Sequence, residues 1–135
     1  VIARLLDVYP DGYEASVTTG VLMARYHQGF DKPQPLQAGQ IVKLTIDMGS
    51  TAIMFAPGHR IGLQVMNSEV GHFTVHPNSY EPVANYENAP VAHMQLQASV
   101  NYPSRLILPV LAPGTSTDFI PGKHSLCKKI KSWTK

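Results

Sequence analysis

The clearest local unit in the sequence is the stretch FAPGHRIGLQVMNS at residues 55–68. The Pro57-Gly58 pair suits the centre of a tight turn, because proline fixes its own φ angle and glycine accepts a positive one. Apolar and other side chains then alternate, which places Ile61, Leu63 and Val65 on one side of an extended strand. The pattern predicts a turn followed by a strand whose three aliphatic side chains fill a core.

Length and composition indicate one domain built from many short elements. The chain has 135 residues, 44% of them hydrophobic, and its 11 Pro and 10 Gly are spread along its length. It contains no apolar run long enough for a transmembrane helix, and its single cysteine, Cys127, excludes an internal disulfide. Because it starts with Val1, we interpret it as a fragment or a processed product. A cytoplasmic and a secreted bacterial location both stay open.

The positive charge is concentrated at the C-terminal end. Residues 1–118 hold six Lys and Arg against nine Asp and Glu, whereas residues 119–135 hold five Lys and no acid. Basic residues next to the single Trp133 are a combination found in segments that contact nucleic acid or a membrane. We expect instead a solvated tail, and therefore neither a nucleic-acid nor a membrane partner.

Alternating patterns along the chain favour strands over helices. The stretch 1–18 predicts a hairpin around Pro10-Asp11-Gly12, and further strands are predicted at 21–27, 41–48, 91–100 and 106–111. In the strand at 41–48, the core side is formed by Val42, Leu44, Ile46 and Met48; in the strand at 91–100, one side is shared by Ala92, Met94, Leu96, Ala98 and Val100. Roughly seven short strands with Pro and Gly between them predict an all-β sandwich.

Five sequence blocks, taken in order, carry a resemblance to a known family. They are LLDVYPDG at 5–12, GVLMARY at 20–26, FAPGHRI at 55–61, FTVHPN at 73–78 and PSRLILPV at 103–110. Together they resemble the C-terminal domain of the X-Pro dipeptidyl-peptidase, cocaine esterase and α-amino-acid ester hydrolase family, the CocE/NonD group of serine hydrolases. The resemblance covers residues 2–111. The family more often carries an Arg-Asn pair where this chain has His76-Pro77-Asn78.

The resemblance implies a fold for this chain and places the catalytic residues in a different domain. The fold would be a jelly-roll, galactose-binding-like β-sandwich over residues 1–113 that is incomplete on its N-terminal side. A basic tail at 114–135, disordered or foreign to the domain, would follow it. The catalytic Ser, Asp and His would lie in an α/β-hydrolase domain absent from this chain. The chain alone would then be inactive, and its unpaired strand edges would favour a homo-oligomer.

The expected function is that of an accessory domain that shapes the substrate site of such a hydrolase. His59, Arg60 and Asn78 are the candidate residues. His59 and Arg60 either line a substrate pocket at a domain junction or pair with a carboxylate and fix the turn; Asp7, Asp47 and Glu69 are candidate partners. No catalytic residue, cofactor or metal ligand is expected in this chain.

Three motifs resemble a catalytic or metal-binding site, but the residues around each do not fit that site. GTSTD at 114–118 lacks the final glycine of a Gly-x-Ser-x-Gly nucleophile elbow. His72 and His76 have zinc-ligand spacing for a helix, but in a strand they would lie about 13 Å apart, at ~3.3 Å per residue. Asp7 and Asp11 do not have the spacing of a calcium loop, so a turn-stabilising Asp11 is expected.

One alternative function comes from a different class of protein. Tyr80, Tyr86 and Tyr102, with nearby Asn and Gln residues, are the residue types of a sugar-binding surface, and jelly rolls are often lectin-like. A free-standing carbohydrate-binding or protein-interaction β-sandwich is therefore the competing interpretation, although fold does not imply function.

Overall fold

The protein is described from a computed structural model that covers residues 1–79 and 89–111, with the backbone of Lys131–Ser132. Its elements are β1 (Ile2–Val8), β2 (Glu14–Val21), a 3₁₀-helix (Ala24–Tyr26), β3 (Arg60–Met66), β4 (Pro109–Val110) and β5 (Lys131–Ser132). The chain divides into two compact units, Val1–His93 and Met94–Lys135. The predicted all-β class is confirmed, since antiparallel pairing dominates and helix is almost absent.

A hairpin opens the first unit, as the sequence predicts. β1 and β2 pair antiparallel from Ile2↔Val21 to Val8↔Glu14, with a bulge between Leu5 and Leu6. In the connecting turn, Asp11 Oδ1 accepts a hydrogen bond of 3.0 Å from the Tyr13 amide. Gly12 has a φ of 90°, a conformation open to glycine at little cost. The turn-stabilising role expected for Asp11 is confirmed.

The first strand lies at the centre of a three-stranded sheet with the order β2-β1-β3. β3 pairs antiparallel with β1 along its whole length, from Val8↔Arg60 to Ile2↔Met66. This central position explains why β1 supplies most of the core. The buried apolar residues are Ile2, Ala3, Leu5, Leu6 and Leu22.

Directly opposed residues of an antiparallel pair share a face of the sheet, so the register defines two faces. The apolar face carries Ala3, Leu5 and Asp7 of β1, Thr18 and Gly20 of β2, and Ile61, Leu63 and Val65 of β3. The opposite face, which we call the polar face after Arg4, places Arg4 of β1 between Thr19 of β2 and Gln64 of β3, and it also carries the buried Ile2 and Leu6 of β1.

Residues 46–48 cover the β2 side of the apolar face. A Cβ atom on Gly20 would lie 2.9 Å from the Asp47 carbonyl carbon, and Thr18 donates a hydrogen bond of 2.5 Å to the Met48 carbonyl oxygen. The predicted alternation is seen in burial, because Val42, Leu44, Ile46 and Met48 are half-buried and the residues between them are exposed. However, 41–48 forms no strand ladder with the other described residues.

Two other strand predictions need correction. The segment predicted as a strand at 21–27 turns into the 3₁₀-helix, in which the Tyr26 amide donates to the Met23 carbonyl. Residues 91–100 form no ladder with the described residues, and Met94, Leu96 and Val100 are exposed. Alternation shows which side chains share a face, but whether a neighbouring strand pairs with that segment is decided by the tertiary structure.

β3 is a strand as predicted, but its aliphatic side is not covered. Ile61, Leu63 and Val65 are 53%, 44% and 40% exposed, so the expectation that they fill the core is wrong within the described chain. The reason is positional: β3 is at the edge of the sheet, and the covering segment 46–48 lies at the opposite edge.

The second unit contains the short pair β4–β5, with Pro109 opposite Ser132 and Val110 opposite Lys131. Pro109 therefore occupies a strand end, as expected for proline. Apart from Lys131–Ser132, the basic tail predicted at 114–135 lies outside the described residues. The boundary at residue 113 and the jelly-roll arrangement stay predictions. None of the described helices has the length and hydropathy to cross a membrane.

Candidate functional site

Two turns meet at the end of the sheet where β1 ends and β3 begins. The His59 amide donates to the Ala56 carbonyl at 3.0 Å, and Gly58 has a φ of 83°, as a Pro-Gly type II turn requires. The predicted turn is confirmed. A Cβ on Gly58 would lie 3.5 Å from Pro10 Cγ, which places this turn beside the turn of the hairpin.

The meeting of the turns brings Asp7 and His59 together. His59 Nδ1 lies 2.9 Å from Asp7 Oδ1 and 3.0 Å from Asp7 Oδ2. A carboxylate only accepts hydrogen bonds, so Nδ1 donates and Nε2 is the ring nitrogen turned away from the acid. The side chains of His59 and Asp7 are 14% and 8% exposed, so the pair is largely buried.

Two tyrosines complete this group, which we call the turn-end cluster: Asp7, Tyr9, Tyr13 and His59. The ring centroids of Tyr9 and His59 are 4.2 Å apart, and those of Tyr9 and Tyr13 are 5.5 Å apart in an edge-to-face arrangement. Aromatic packing and the hydrogen bonds from His59 hold the imidazole in one orientation. Sequence analysis named Asp7 as one of three candidate partners, and the structure selects it.

Arg60 is placed differently from its neighbour. It is the first residue of β3, it belongs to the polar face opposite Val8, and its side chain is exposed. Within the described ranges it forms no ion pair, so neither Asp47 nor Glu69 is its partner. The two candidates His59 and Arg60 therefore do not form a joint site.

Glu69 instead belongs to an ion pair on the polar face that the sequence analysis did not anticipate. Its carboxylate accepts a short hydrogen bond from Arg4 Nη2, and Arg4 Nε donates to Thr19 at 3.3 Å. This hydrogen bond from Arg4 lowers the pKa of Glu69 below its ordinary value. The only sequence signal was an arginine among the apolar residues of β1, which indicates a charged partner across that face.

The third candidate, Asn78, lies in a separate group that we call the His76 loop: Arg25, His76, Asn78 and Ser79. Arg25 Nη2 donates to the Ser79 carbonyl at 3.1 Å and lies 2.9 Å from His76 Nε2. The Asn78 amide donates to His76 Nδ1 at 3.0 Å, and Asn78 has a φ of 55°. Asn78 Nδ2 also donates to the Pro90 carbonyl, which fixes the path of this loop.

Both ring nitrogens of His76 thus face N–H donors. The neutral ring accepts a hydrogen bond at one of them, and protonation would add an N–H there and remove that acceptor. Burial lowers the pKa of His76 below its ordinary value of 6.5, and the positive charges of Arg25 and of the chain's N-terminus act in the same direction. The neutral imidazole is the form that the folded loop accommodates.

A pH dependence of stability follows from the lowered pKa of His76. As the pH falls below about 6.5, His76 takes up a proton more readily in the unfolded chain than in the folded chain. The stability that the neutral imidazole gives the folded loop is therefore fully present above pH 6.5 and is lost as the pH falls below it. We expect the slope of unfolding free energy between pH 7 and pH 5, measured by urea denaturation, to be shallower for His76→Gln than for the unmodified chain. His93→Gln, at an exposed position, is the control, and an equal slope in both variants would contradict the assignment.

The Asp7–His59 pair does not by itself make a hydrolytic site. A buried carboxylate that orients a histidine matches two roles of a catalytic triad. However, no described hydroxyl or thiol is hydrogen-bonded to His59 Nε2, and the described residues contain no His, Cys, Asp and Glu group that could hold a metal ion. GTSTD and Cys127 lie outside the described residues, as do Tyr80 and Tyr86 of the sugar-binding alternative.

Comparisons with known proteins give the family. Residues 1–107 match the X-Pro dipeptidyl-peptidase C-terminal non-catalytic domain. The chain is 32% identical over 111 residues to the cocaine esterase of Rhodococcus sp. (strain MB1 Bresler), which covers 81% of this chain and 19% of that protein. It is 30% identical over 126 residues to proteins of Mycobacterium bovis and Mycobacterium tuberculosis that are named as candidate serine esterases, again over 81% of this chain and 18% of each relative.

These matches agree with the resemblance carried by the five sequence blocks. The chain spans about a fifth of the length of the curated relatives it matches. The match of residues 1–107 includes the turn-end cluster, β3 and the His76 loop. The chain belongs to the family of X-Pro dipeptidyl-peptidase C-terminal non-catalytic domains.

Proposed function

We propose that this domain is the accessory, non-catalytic C-terminal part of a serine hydrolase that acts on an ester, peptide or acyl-amide bond. The observation that carries the proposal is the family match over residues 1–107. The partner of this domain would be the α/β-hydrolase domain that supplies the nucleophile.

In this role the turn-end cluster would give the domain a rigid end. The Asp7–His59 bond joins the first strand to the turn before β3 across 52 positions of sequence. Exposed Arg60 beside that turn offers a cation to a carboxylate of a neighbouring domain or of a substrate. We assign His59 the structural role, Arg60 the contact role and Asn78 a role in fixing the His76 loop.

The first test is chemical labelling of the chain alone. Fluorophosphonates react with a serine only when a base and an oxyanion hole activate it, so no labelling of this chain is expected by in-gel fluorescence. An active serine esterase labelled in parallel is the positive control. Stoichiometric labelling that is lost on heat denaturation would contradict the accessory role.

The second test is the coding sequence upstream of Val1. The proposal expects an open reading frame that continues upstream into a Gly-x-Ser-x-Gly motif placed between a strand and a helix. A start codon directly before Val1 would contradict it, and binding of the pure chain on a glycan array would favour the carbohydrate-binding alternative.

A further inference from the structure

Three segments that are distant in sequence meet at the His76 loop. Arg25 belongs to the 3₁₀-helix, and its Nη2 lies 2.9 Å from His76 Nε2 and donates to the Ser79 carbonyl at 3.1 Å. Asn78 Nδ2 donates to the Pro90 carbonyl at 3.2 Å. The loop therefore connects the 3₁₀-helix to the chain at residue 90, and the imidazole of His76 lies among these contacts.

The backbone of the loop depends on the imidazole as well. The Asn78 amide donates to His76 Nδ1 at 3.0 Å, and Asn78 has a φ of 55°, a conformation that few residues other than glycine adopt. Between them, the side chain of Pro77 is less than 2% exposed. A residue in this conformation persists only where its surroundings hold it, and the contacts of His76 and the burial of Pro77 are what hold it here.

The contacts of His76 depend on its protonation state. Its ring meets one N–H donor at each nitrogen, the Asn78 amide at Nδ1 and the Arg25 guanidinium at Nε2. The neutral imidazole has one lone pair that can accept from one of them, whereas the imidazolium has none. The imidazolium would also bring a second positive charge to within 2.9 Å of the Arg25 guanidinium, and like charges repel strongly in a partly buried site.

The charged groups around His76 act in the same direction. Arg25 faces it from the 3₁₀-helix, and the amino group of Val1, which donates to the Leu22 carbonyl at 2.9 Å, faces it from the start of the chain. Among the described residues, no carboxylate forms an ion pair with His76. Burial and these two positive charges, in that order, lower the pKa of His76 below 6.5.

We propose that the His76 loop is a pH-dependent switch: protonation of His76 between pH 7 and pH 5 releases residues 76–79 from Arg25 and Pro90 while the three-stranded sheet stays folded. The sheet is held by the β1–β2 and β1–β3 ladders and by the burial of Leu5, and His76 takes part in none of these. A segment with few partners can open by itself when the rest of a domain does not.

Hydrogen exchange of single amides, measured by NMR on the 135-residue chain, tests the release. Protection factors, which correct for the intrinsic effect of pH on exchange, are compared at pH 7 and pH 5. The Asn78 amide is expected to lose protection by at least about fivefold at pH 5, and the amides of β1 are expected to keep theirs. Unchanged protection of Asn78 would overturn the inference, and so would an equal loss in β1, which would indicate unfolding of the whole chain.

A matched pair of variants assigns the effect to one histidine. His76→Gln carries no titrating group, so the protection of Asn78 is expected to be the same at both pH values. His27→Gln is the control, because His27 Nδ1 contacts the Ala24 carbonyl at 3.0 Å, and protonation preserves a donor to a carbonyl. The control is expected to keep the pH dependence of the unmodified chain. Loss of that dependence in the control, or its persistence in His76→Gln, would overturn the inference.

A measurement on the unmodified chain covers the case in which His76→Gln opens the loop at every pH. The imidazole of His76 is followed by NMR between pH 8 and pH 4, and its titration midpoint is expected below 6.5. The loss of Asn78 protection should follow the same midpoint. A midpoint at or above 6.5 would overturn the inference. Since every measurement uses the chain alone, the result is independent of the proposed function.

Discussion

Replacing His59 by alanine is expected to lower the free energy of unfolding of the chain by about 2–4 kcal/mol. The cause is the carboxylate that remains. Asp7 is 5% exposed, and both of its oxygens are hydrogen-bonded to His59 Nδ1. Without the imidazole, the acid keeps its desolvation cost and loses its partner. Urea denaturation followed by circular dichroism measures the effect.

A double-variant cycle separates this pairing from loss of packing. Asp7→Ala removes the acid, and the double variant D7A/H59A removes both groups, so no unpaired charge remains. We expect the double variant to lose less stability than the sum of the two single variants, by about 1–3 kcal/mol. Additive losses would show that His59 contributes only through its ring contact with Tyr9. Asp11→Ala, which removes one exposed turn hydrogen bond, is the control, with a loss of about 1 kcal/mol.

Leu5→Ala is expected to destabilise the chain by about 2–5 kcal/mol, because truncating a buried leucine removes apolar contacts and leaves a cavity. Leu5 is 1% exposed on the central strand of the sheet. Its direct partner Leu63 on β3 provides a matched control, since the same substitution there changes a residue that is 44% exposed.

The comparison between the two leucines tests which part of the apolar face is the core. Leu63→Ala in the chain alone is expected to cost about 1 kcal/mol or less, because surface substitutions change stability little. Equal losses at both positions in urea denaturation would show that β3 is as well covered as β1 in solution.

The local parts of the candidate site were predictable from sequence, but its pairings were not. The Pro57-Gly58 turn follows from the backbone preferences of two adjacent residues. His59 forms its hydrogen bond with Asp7 because β3 pairs with β1, and this pairing brings two residues that are 52 positions apart within hydrogen-bond distance. The pairing of Arg4 with Glu69 spans 65 positions. Charge alone could not distinguish Asp7, Asp47 and Glu69 as partners.

The exposure of β3 could not be predicted from its pattern either. Alternation predicted a strand and identified which side chains share a face, and both predictions are confirmed. Whether that face is covered depends on the path of a distant segment. Residues 46–48 pass over β2, so Leu5 is buried while Leu63 is left open.

The residues alone were enough to predict the all-β class, the hairpin around Pro10-Asp11-Gly12, the turn at 56–59 and the strand after it, because these depend on φ preferences and on the two-residue period of strands. The central position of β1, the bond between His59 and Asp7 and the exposed aliphatic side of β3 became visible only in the folded chain. The physical reason is that ion pairs and burial are set by which distant segments pack together, and the residues of one segment do not specify its neighbours.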